Sequence, residues 1–277
     1  MIYTCVPPLP EQAAIVEYLD QATAEIDEAI DKNQSLIGLL KELKQTTIAE
    51  AVTKGLNPNV PMRDSGVKWL GEVPAHWEMR RLKHAAVLNP SRIESRSFLV
   101  ADTTITFLPM ERVSSDGQID PKKTLPASKV WNGFTYFRRD DVLVAKITPC
   151  FENGKGAHLH SLPTKIGFGS TEFHVLRAKS FILPQFLYRL TTTSEFRRLG
   201  TDSMTGAAGQ QRVPTSFIAN YPTPLPPYPE QVAIVEHLDK ITAEIDEAID
   251  KKQRLIELLK ELKQVTIAEA VTGKIKV

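Results

Sequence analysis

Residues Pro7–Thr53 read PPLPEQAAIVEYLDQATAEIDEAIDKNQSLIGLLKELKQTTIAEAVT, and residues Pro226–Thr272 read PPYPEQVAIVEHLDKITAEIDEAIDKKQRLIELLKELKQVTIAEAVT. The second stretch follows the first at a constant offset of 219 positions, without a gap, and 38 of the 47 aligned residues are identical. A long repeat flanking an unrelated middle marks two copies of one structural unit.

Each copy predicts one long helix. Pro10 and Pro229 stand where a first helical residue belongs, because the amide hydrogen that proline lacks would be unpaired there. Glu11 and Glu230 put negative charge in the first turn, where the helix dipole favours it, and Gly55 and Gly273 lie just past the ends, where a left-handed cap favours glycine. Leu19, Ala22, Ile26, Ala29, Asn33, Leu36, Leu40, Leu43 and Thr47 recur in steps of three and four. So do Leu238, Ile241, Ile245, Ala248, Lys252, Leu255, Leu259, Leu262 and Thr266. This is the heptad pattern of a coiled coil. It nominates Leu19, Ile26, Leu36, Leu40, Leu43, Leu238, Ile245, Leu255, Leu259 and Leu262 for helix pairing. Ile30, Ile37, Ile249 and Ile256 widen the stripe, and Asn33 and Lys252 are polar register devices within it. A helix of about 44 residues is roughly 65 Å long. It is too polar to span a membrane. One reading is a dimerisation rod. The duplication adds another, in which the two helices return antiparallel within one chain and form a stalk whose far end is vacant.

Charge is divided unevenly. Residues 1–55 carry 4 Lys and Arg against 9 Asp and Glu, and residues 226–277 carry 8 against 10. The middle, 56–225, carries 22 against 14, a net +8 inside a chain of net +1. Basic charge gathered in one domain is the footprint of a nucleic-acid binder, although many basic domains bind none. Cys5 and Cys150, the only cysteines, offer neither a disulfide framework nor a zinc quartet. There is no apolar run of signal-peptide or membrane length, so a cytoplasmic location is the default.

The chain therefore divides into a first long helix (1–55), a Pro- and Gly-punctuated linker (56–76), a middle domain (77–225) and a second long helix (226–277). Residues 1–6, MIYTCV, align in the repeat register with Asn220–Leu225, as though the chain had just left another domain of the same kind. In the middle, Arg81–Leu88 reads as a short helix or strand. Ile105–Pro109, Val130–Phe137, Asp140–Lys146, Phe168–Leu176 and Phe217–Tyr221 read as strands. FENGKG at 151–156 reads as a tight turn opening a hairpin, and Pro184–Leu199 as one amphipathic helix.

Several motifs in this order carry a resemblance. They are SGVKWLGEVPAHWE at 65–78, DDVLVAK at 140–146, ENGKG at 152–156, GSTEF at 169–173, TGAAGQQR at 205–212 and PLPPYPEQ at 224–231 followed by the long helix. The series resembles the specificity subunit of type I restriction–modification systems over essentially the whole chain. That family usually has two target-recognition domains, each followed by one conserved helix; this chain has helix, one domain, helix. The resemblance implies an α+β fold, with one mixed α/β target-recognition domain flanked by two long antiparallel coiled-coil helices. It implies sequence-specific binding of double-stranded DNA without catalysis and without a cofactor. The implied partners are two adenine-methylating modification subunits and, in the full complex, a restriction subunit. Two chains paired as a homodimer would read a palindromic, gapped target.

The residues agree with a non-catalytic reader. Asn89-Pro90-Ser91 lacks the aromatic that an adenine methyltransferase stacks on its flipped base. No GxxxxGK[ST] phosphate cradle occurs. Glu152 and Lys155 do not have nuclease spacing, and His158 and His160 have no third metal ligand in view, so neither catalytic nor metal residues are nominated. DNA backbone contacts use Lys, Arg, Ser, Thr and amide groups, and base readout uses Arg, Gln or Asn. On that chemistry the candidates are Gln210, Gln211 and Arg212 in the glycine-rich loop, Lys146, Thr148 and Lys155 around the strand and turn, and Ser170 and Thr171 at the next strand. Arg197 and Arg198 are weaker candidates, since helix surfaces carry such charges routinely.

Overall fold

The computed structural model describes residues 6–207 and 209–275; the reading of MIYTCV as the tail of another domain falls outside these residues, except at Val6. Helix α1 (Leu9–Lys54) opens the chain. Strands β1 (Met62–Asp64), β2 (Glu72–Pro74) and β3 (Glu78–Arg81) follow, then α2 (Leu82–Ala85) and β4 (Ala86–Leu88). Next come α3 (Arg96–Val100), β5 (Thr104–Leu108), β6 (Thr124–Pro126), α4 (Ala127–Val130), β7 (Thr135–Arg138), β8 (Val142–Ala145), β9 (Gly156–His158), β10 (Ile166–Gly169) and β11 (Phe173–Ala178). The series closes with α5 (Pro184–Thr191), α6 (Ser194–Asp202), α7 (Thr215–Asn220), β12 (Pro222–Leu225) and α8 (Tyr228–Val271). The fold is α+β, as the sequence predicts.

Two compact units result. One comprises residues 1–46 and 239–277, the other Thr47–Leu238. The second unit is wider than the middle segment 77–225, because the last turns of α1 and the first turns of α8 enter its core. Ile48, Ala51, Val52, Ile234, Val235 and Leu238 are buried there with Trp77, Leu82, Phe186, Phe196 and Tyr221. Gly55 takes the left-handed φ of +78°, and a Cβ there would stand 3.0 Å from Glu230 Oε1 and 3.2 Å from the Trp77 ring. Trp77 Nε1 donates to Glu230 Oε2 at 3.1 Å, and His76 Nε2 lies 2.9 Å from the same oxygen. Gln231 is fully buried. Its Nε2 donates to Phe181 O and Pro226 O, while its Oε1 accepts from Leu183 N at 2.7 Å. The PEQ triplet thus fastens the domain to the start of α8.

In the helical unit, Lys44 pairs with Asp246 and Asp27 with Lys263, each at 2.6 Å. Rising along α1 from Asp27 to Lys44 descends α8 from Lys263 to Asp246 by the same number of residues, so the helices run antiparallel. Under the 219-residue offset Asp27 corresponds to Asp246 and Lys44 to Lys263, so one ion pair is made twice about a local pseudo-two-fold axis.

The seam differs from a simple heptad reading. Asn33, Ile37, Ile245 and Ile256 are buried, and Ile26, Ile30, Leu40, Ile249 and Leu259 are half-buried. Leu36, Leu43, Leu255 and Leu262, expected in the seam, lie on an exposed flank beside Leu39 and Leu258, which are each 61% exposed. Leu238 packs into the core of the larger unit instead, and Leu19 is half-buried. The physical reason is that the apolar stripe has three rows and a single partner helix covers two of them. The pair closes on the isoleucine side, with the Lys–Asp bridges at its rim. The Asn33 amide donates to Ala29 O of its own helix at 2.7 Å.

The domain holds two four-stranded sheets, ordered β6-β5-β10-β7 and β4-β11-β8-β9, and two small ribbons, β1-β2 and β3-β12. Among the described residues, only β5 and β10 pair in parallel. Several expected elements are subdivided. Phe168–Leu176 breaks at Ser170, whose Oγ accepts from Glu172 N at 3.2 Å, so β10 and β11 serve different sheets. Pro184–Leu199 breaks into α5 and α6 because Thr193 Oγ1 accepts from Phe196 N and starts a new helix. Val130–Phe137 begins as α4 and turns into β7. Phe217–Tyr221 is helical in α7, and the strand falls instead on Pro222–Leu225; its prolines are tolerated because β12 pairs on one side only, with β3.

Candidate nucleic-acid interface

The eight candidate DNA contacts come from three separated stretches of sequence, and the fold brings those stretches together. Beyond β8 the chain continues as Lys146, Ile147 and Thr148. Lys146 N donates to Glu172 O, Val213 N to Lys146 O, and Thr148 N to Gln211 O. The segment after β8 therefore lies between the Ser170–Glu172 turn and the 205–213 loop. That loop is closed by Thr205 and Arg212, each donating its amide to the other's carbonyl, at 3.0 and 2.8 Å. Ala208 at its tip lies outside the described residues.

The side chains occupy distinct positions within this cluster. Lys146 Nζ donates to Thr171 O at 2.6 Å, and burial pulls the pKa of its ammonium down. Thr148 Oγ1 lies 3.3 Å from Gln211 O. Thr171 and Gln210 are exposed; Ser170 and Gln211 are half-buried. Lys155, at the far side of the 151–156 turn, reaches Met110 O at 3.3 Å, while Ser170 N donates to Leu108 O, so both border the loop after β5. Arg212 is committed to a neighbour. Its Nε is 2.9 Å from Glu172 Oε2 and 3.2 Å from Oε1, its Nη2 is 2.9 Å from Oε1, and its Nη1 donates to Gln210 O at 3.1 Å. These hydrogen bonds hold the Glu172 carboxyl below the usual carboxylate range. Arg198 pairs with Glu195 and Asp202 on its own helix, and Arg197 donates to Thr192 O at 2.8 Å.

Sequence reasoning missed two participants in the cluster, Glu172 and His174, and a buried ion pair at the other end of β8. Glu172 sits inside the GSTEF motif, but its partner is 40 residues away. His174 is buried beneath the loop, with Nε2 donating to Val213 O at 2.9 Å and Nδ1 unpartnered among the described residues; burial lowers its pKa to about 4. Asp141, the second carboxylate of DDVLVAK, grips Arg177 with Oδ1 at 2.7 Å from Nε and Oδ2 at 2.8 Å from Nη2. Arg177 also pairs with Glu94, which accepts from Tyr136 OH at 3.0 Å. Paired acid and base residues of this kind are invisible to a reading that scores each position separately. Among the described residues, no group of three or more His, Cys, Asp or Glu is placed to hold a metal ion, and no helix is long and apolar enough to cross a membrane.

A mixed α/β domain that gathers amide, hydroxyl and cationic groups on its loops, and is fastened between repeated helix ends, defines a recognition module. Residues 76–258 match the family described as type I restriction modification DNA specificity domain, and the chain belongs to that family. It is 37% identical over 198 residues to the type I restriction enzyme EcoEI specificity subunit of Escherichia coli, and 36% identical over 200 residues to the EcoAI specificity subunit of the same organism. Each match covers 68% of this chain but 32% and 33% of those proteins. The match thus spans about a third of the length of these relatives. Two solved structures share the fold. A chain from a structure of the type I R-M system has 19% identity and a TM-score of 0.69, covering 98% of this chain and 61% of that one. The HsdS subunit from Thermoanaerobacter tengcongensis has 20% identity and a TM-score of 0.52, covering 98% and 60%.

Proposed function

We propose that this chain is a sequence-specific, non-catalytic DNA-binding subunit of a type I restriction–modification complex, reading one half of a split target with its single recognition domain. The observation that carries the reading is the convergence of Lys146, Thr148, Lys155, Ser170, Thr171, Gln210, Gln211 and Arg212 in a domain of net +8. Loops held this way suit a groove: cations and hydroxyls meet phosphates, and glutamine amides meet base edges. Selection of binding sites from a randomised duplex library by the full chain is the test. One conserved half-site is the expected result. Replacing Gln210 and Gln211 together by alanine is expected to relax selection at one or two positions, each by about 1–3 kcal/mol. If binding is equally tight on every duplex, the chain is instead a coiled-coil adaptor or decoy that sequesters modification subunits.

The exposed leucine flank supports docking of adenine-methylating modification subunits on the helices. Leu36, Leu39 and Leu43 recur as Leu255, Leu258 and Leu262, so the local two-fold offers two equivalent surfaces and a stoichiometry of two partners per chain. Changing Leu39 and Leu258 to lysine is expected to abolish co-purification of the modification subunit without loss of helicity by circular dichroism.

The first repeat also supports seating of a second recognition domain, from another copy of the chain. Gln12 donates to Pro7 O as Gln231 does to Pro226 O, and Val16 and Val271 are 57% and 52% exposed where their equivalents Val235 and Val52 are buried. Pairing through this end gives a homodimer with a palindromic gapped target. A mass of twice the chain in solution is the expected result, and methylation confined to asymmetric sites would sink it.

A further inference from the structure

Arg212 is a candidate DNA contact by residue type, yet its two-pronged edge is directed at Glu172. The arrangement leaves spare bonding capacity on the acid. Glu172 Oε1 accepts from two Arg212 nitrogens and Oε2 from one, so Oε2 retains an open lone pair. The carboxylate is partly open to solvent, in the turn that also carries Ser170 and Thr171.

We propose that Glu172 is a specificity-determining residue that accepts a hydrogen bond from the exocyclic amino group of cytosine or adenine in the major groove, with Arg212 as the positioning residue that orients and neutralises it. The inference rests on the DNA-reading function proposed above. A carboxylate suits an amino-bearing base edge, because cytosine N4 and adenine N6 are the donors displayed there. The same carboxylate disfavours guanine and thymine, whose O6 and O4 are acceptors, and it repels phosphates on non-target duplex. The Arg212 pair keeps Glu172 ionised and offsets part of that repulsion. Lys146, anchored on Thr171 O, provides a second cation beside it.

The test compares the full chain with its Glu172→Ala and Glu172→Gln variants, by site selection from randomised duplex and by titration of a non-target duplex. The expected wild-type result is cytosine or adenine at one position of the half-site. Glu172→Ala is expected to lose that preference alone, by about tenfold or more, and to bind non-target duplex more tightly. Glu172→Gln, which keeps an acceptor for Arg212 and adds a donor, is expected to admit guanine or thymine at the same position. Unchanged selection in both variants overturns the proposal. So does weaker binding of every sequence in equal measure, or failure of both variants to fold, since each makes Glu172 a scaffold for the loop. A wild-type chain without any sequence preference removes the DNA-reading function itself, an outcome distinguishable from failure at this one residue.

Discussion

Asp141→Ala is expected to destabilise the recognition domain by about 3–5 kcal/mol, the cost of leaving one half of a buried ion pair without its partner. Asp141 is 1% exposed and accepts from Arg177 twice and from Arg138 N at 2.9 Å. Burial raises its pKa despite these contacts, so the fold holds the charge against a desolvation penalty. The network spans both large sheets, since Arg138 ends β7 in one and Arg177 lies on β11 in the other. Removal of the carboxylate leaves Arg177 with Glu94 as its remaining acidic partner, at the surface side of the network. For a domain of this size the melting temperature is expected to fall by about 10 °C, readable by calorimetry. The double change Asp141→Leu with Arg177→Met removes both charges and is expected to recover most of the loss, because apolar replacements of buried pairs are often neutral. A drop below 1 kcal/mol in the single variant would show that water reaches Arg177.

Acid is expected to destabilise the fold through His174. The imidazole is buried and neutral, and its pKa is lowered to about 4, first by burial and then by the nearby Lys146 charge, against the opposing hydrogen bond to Val213 O. The unfolded chain titrates near the ordinary 6.5, so between pH 6.5 and 4 it binds a proton that the fold refuses. Stability from this group is complete above pH 6.5 and declines as the pH falls towards 4, by about 3 kcal/mol. A His174→Phe variant lacks the titration. Subtracting its denaturation free energies from those of the wild type at each pH isolates the effect from other acid-sensitive carboxylates. Parallel profiles would mean that His174 is hydrated in solution. His174 Nε2 holds Val213 O, at the end of the Thr205–Arg212 loop, so the buried neutral ring is part of that loop's support.

The chain's periodicity was sufficient for its largest features. Both long helices begin one residue before their proline and end within two residues of a glycine, for local reasons, and the repeat carries those signals twice. Gly55 and Gly273 both adopt the left-handed conformation expected of them. The DNA-contact candidates rest on residue type and loop position, because the chemistry of phosphates and base edges restricts the choice. Their mutual placement was not legible. Ser170 could be seen as a polar residue in a strand-like run, but only its hydrogen bond to Glu172 N divides that run between two sheets. Thr193 likewise divides a continuous amphipathic pattern, because capping geometry outweighs periodicity at that point.

The sequence by itself determined two repeated helices, a basic domain between them, and the resemblance that the family match bears out. Each of these depends on local spacing, charge or motif order. Tertiary structure alone decided which apolar row closes the helix pair, since Ile37 and Leu36 are equally suited to burial until a partner helix covers one side. It alone joined Arg212 to Glu172 and Asp141 to Arg177, because an ion pair depends on distance in space and the separations of 40 and 36 residues along the chain encode none.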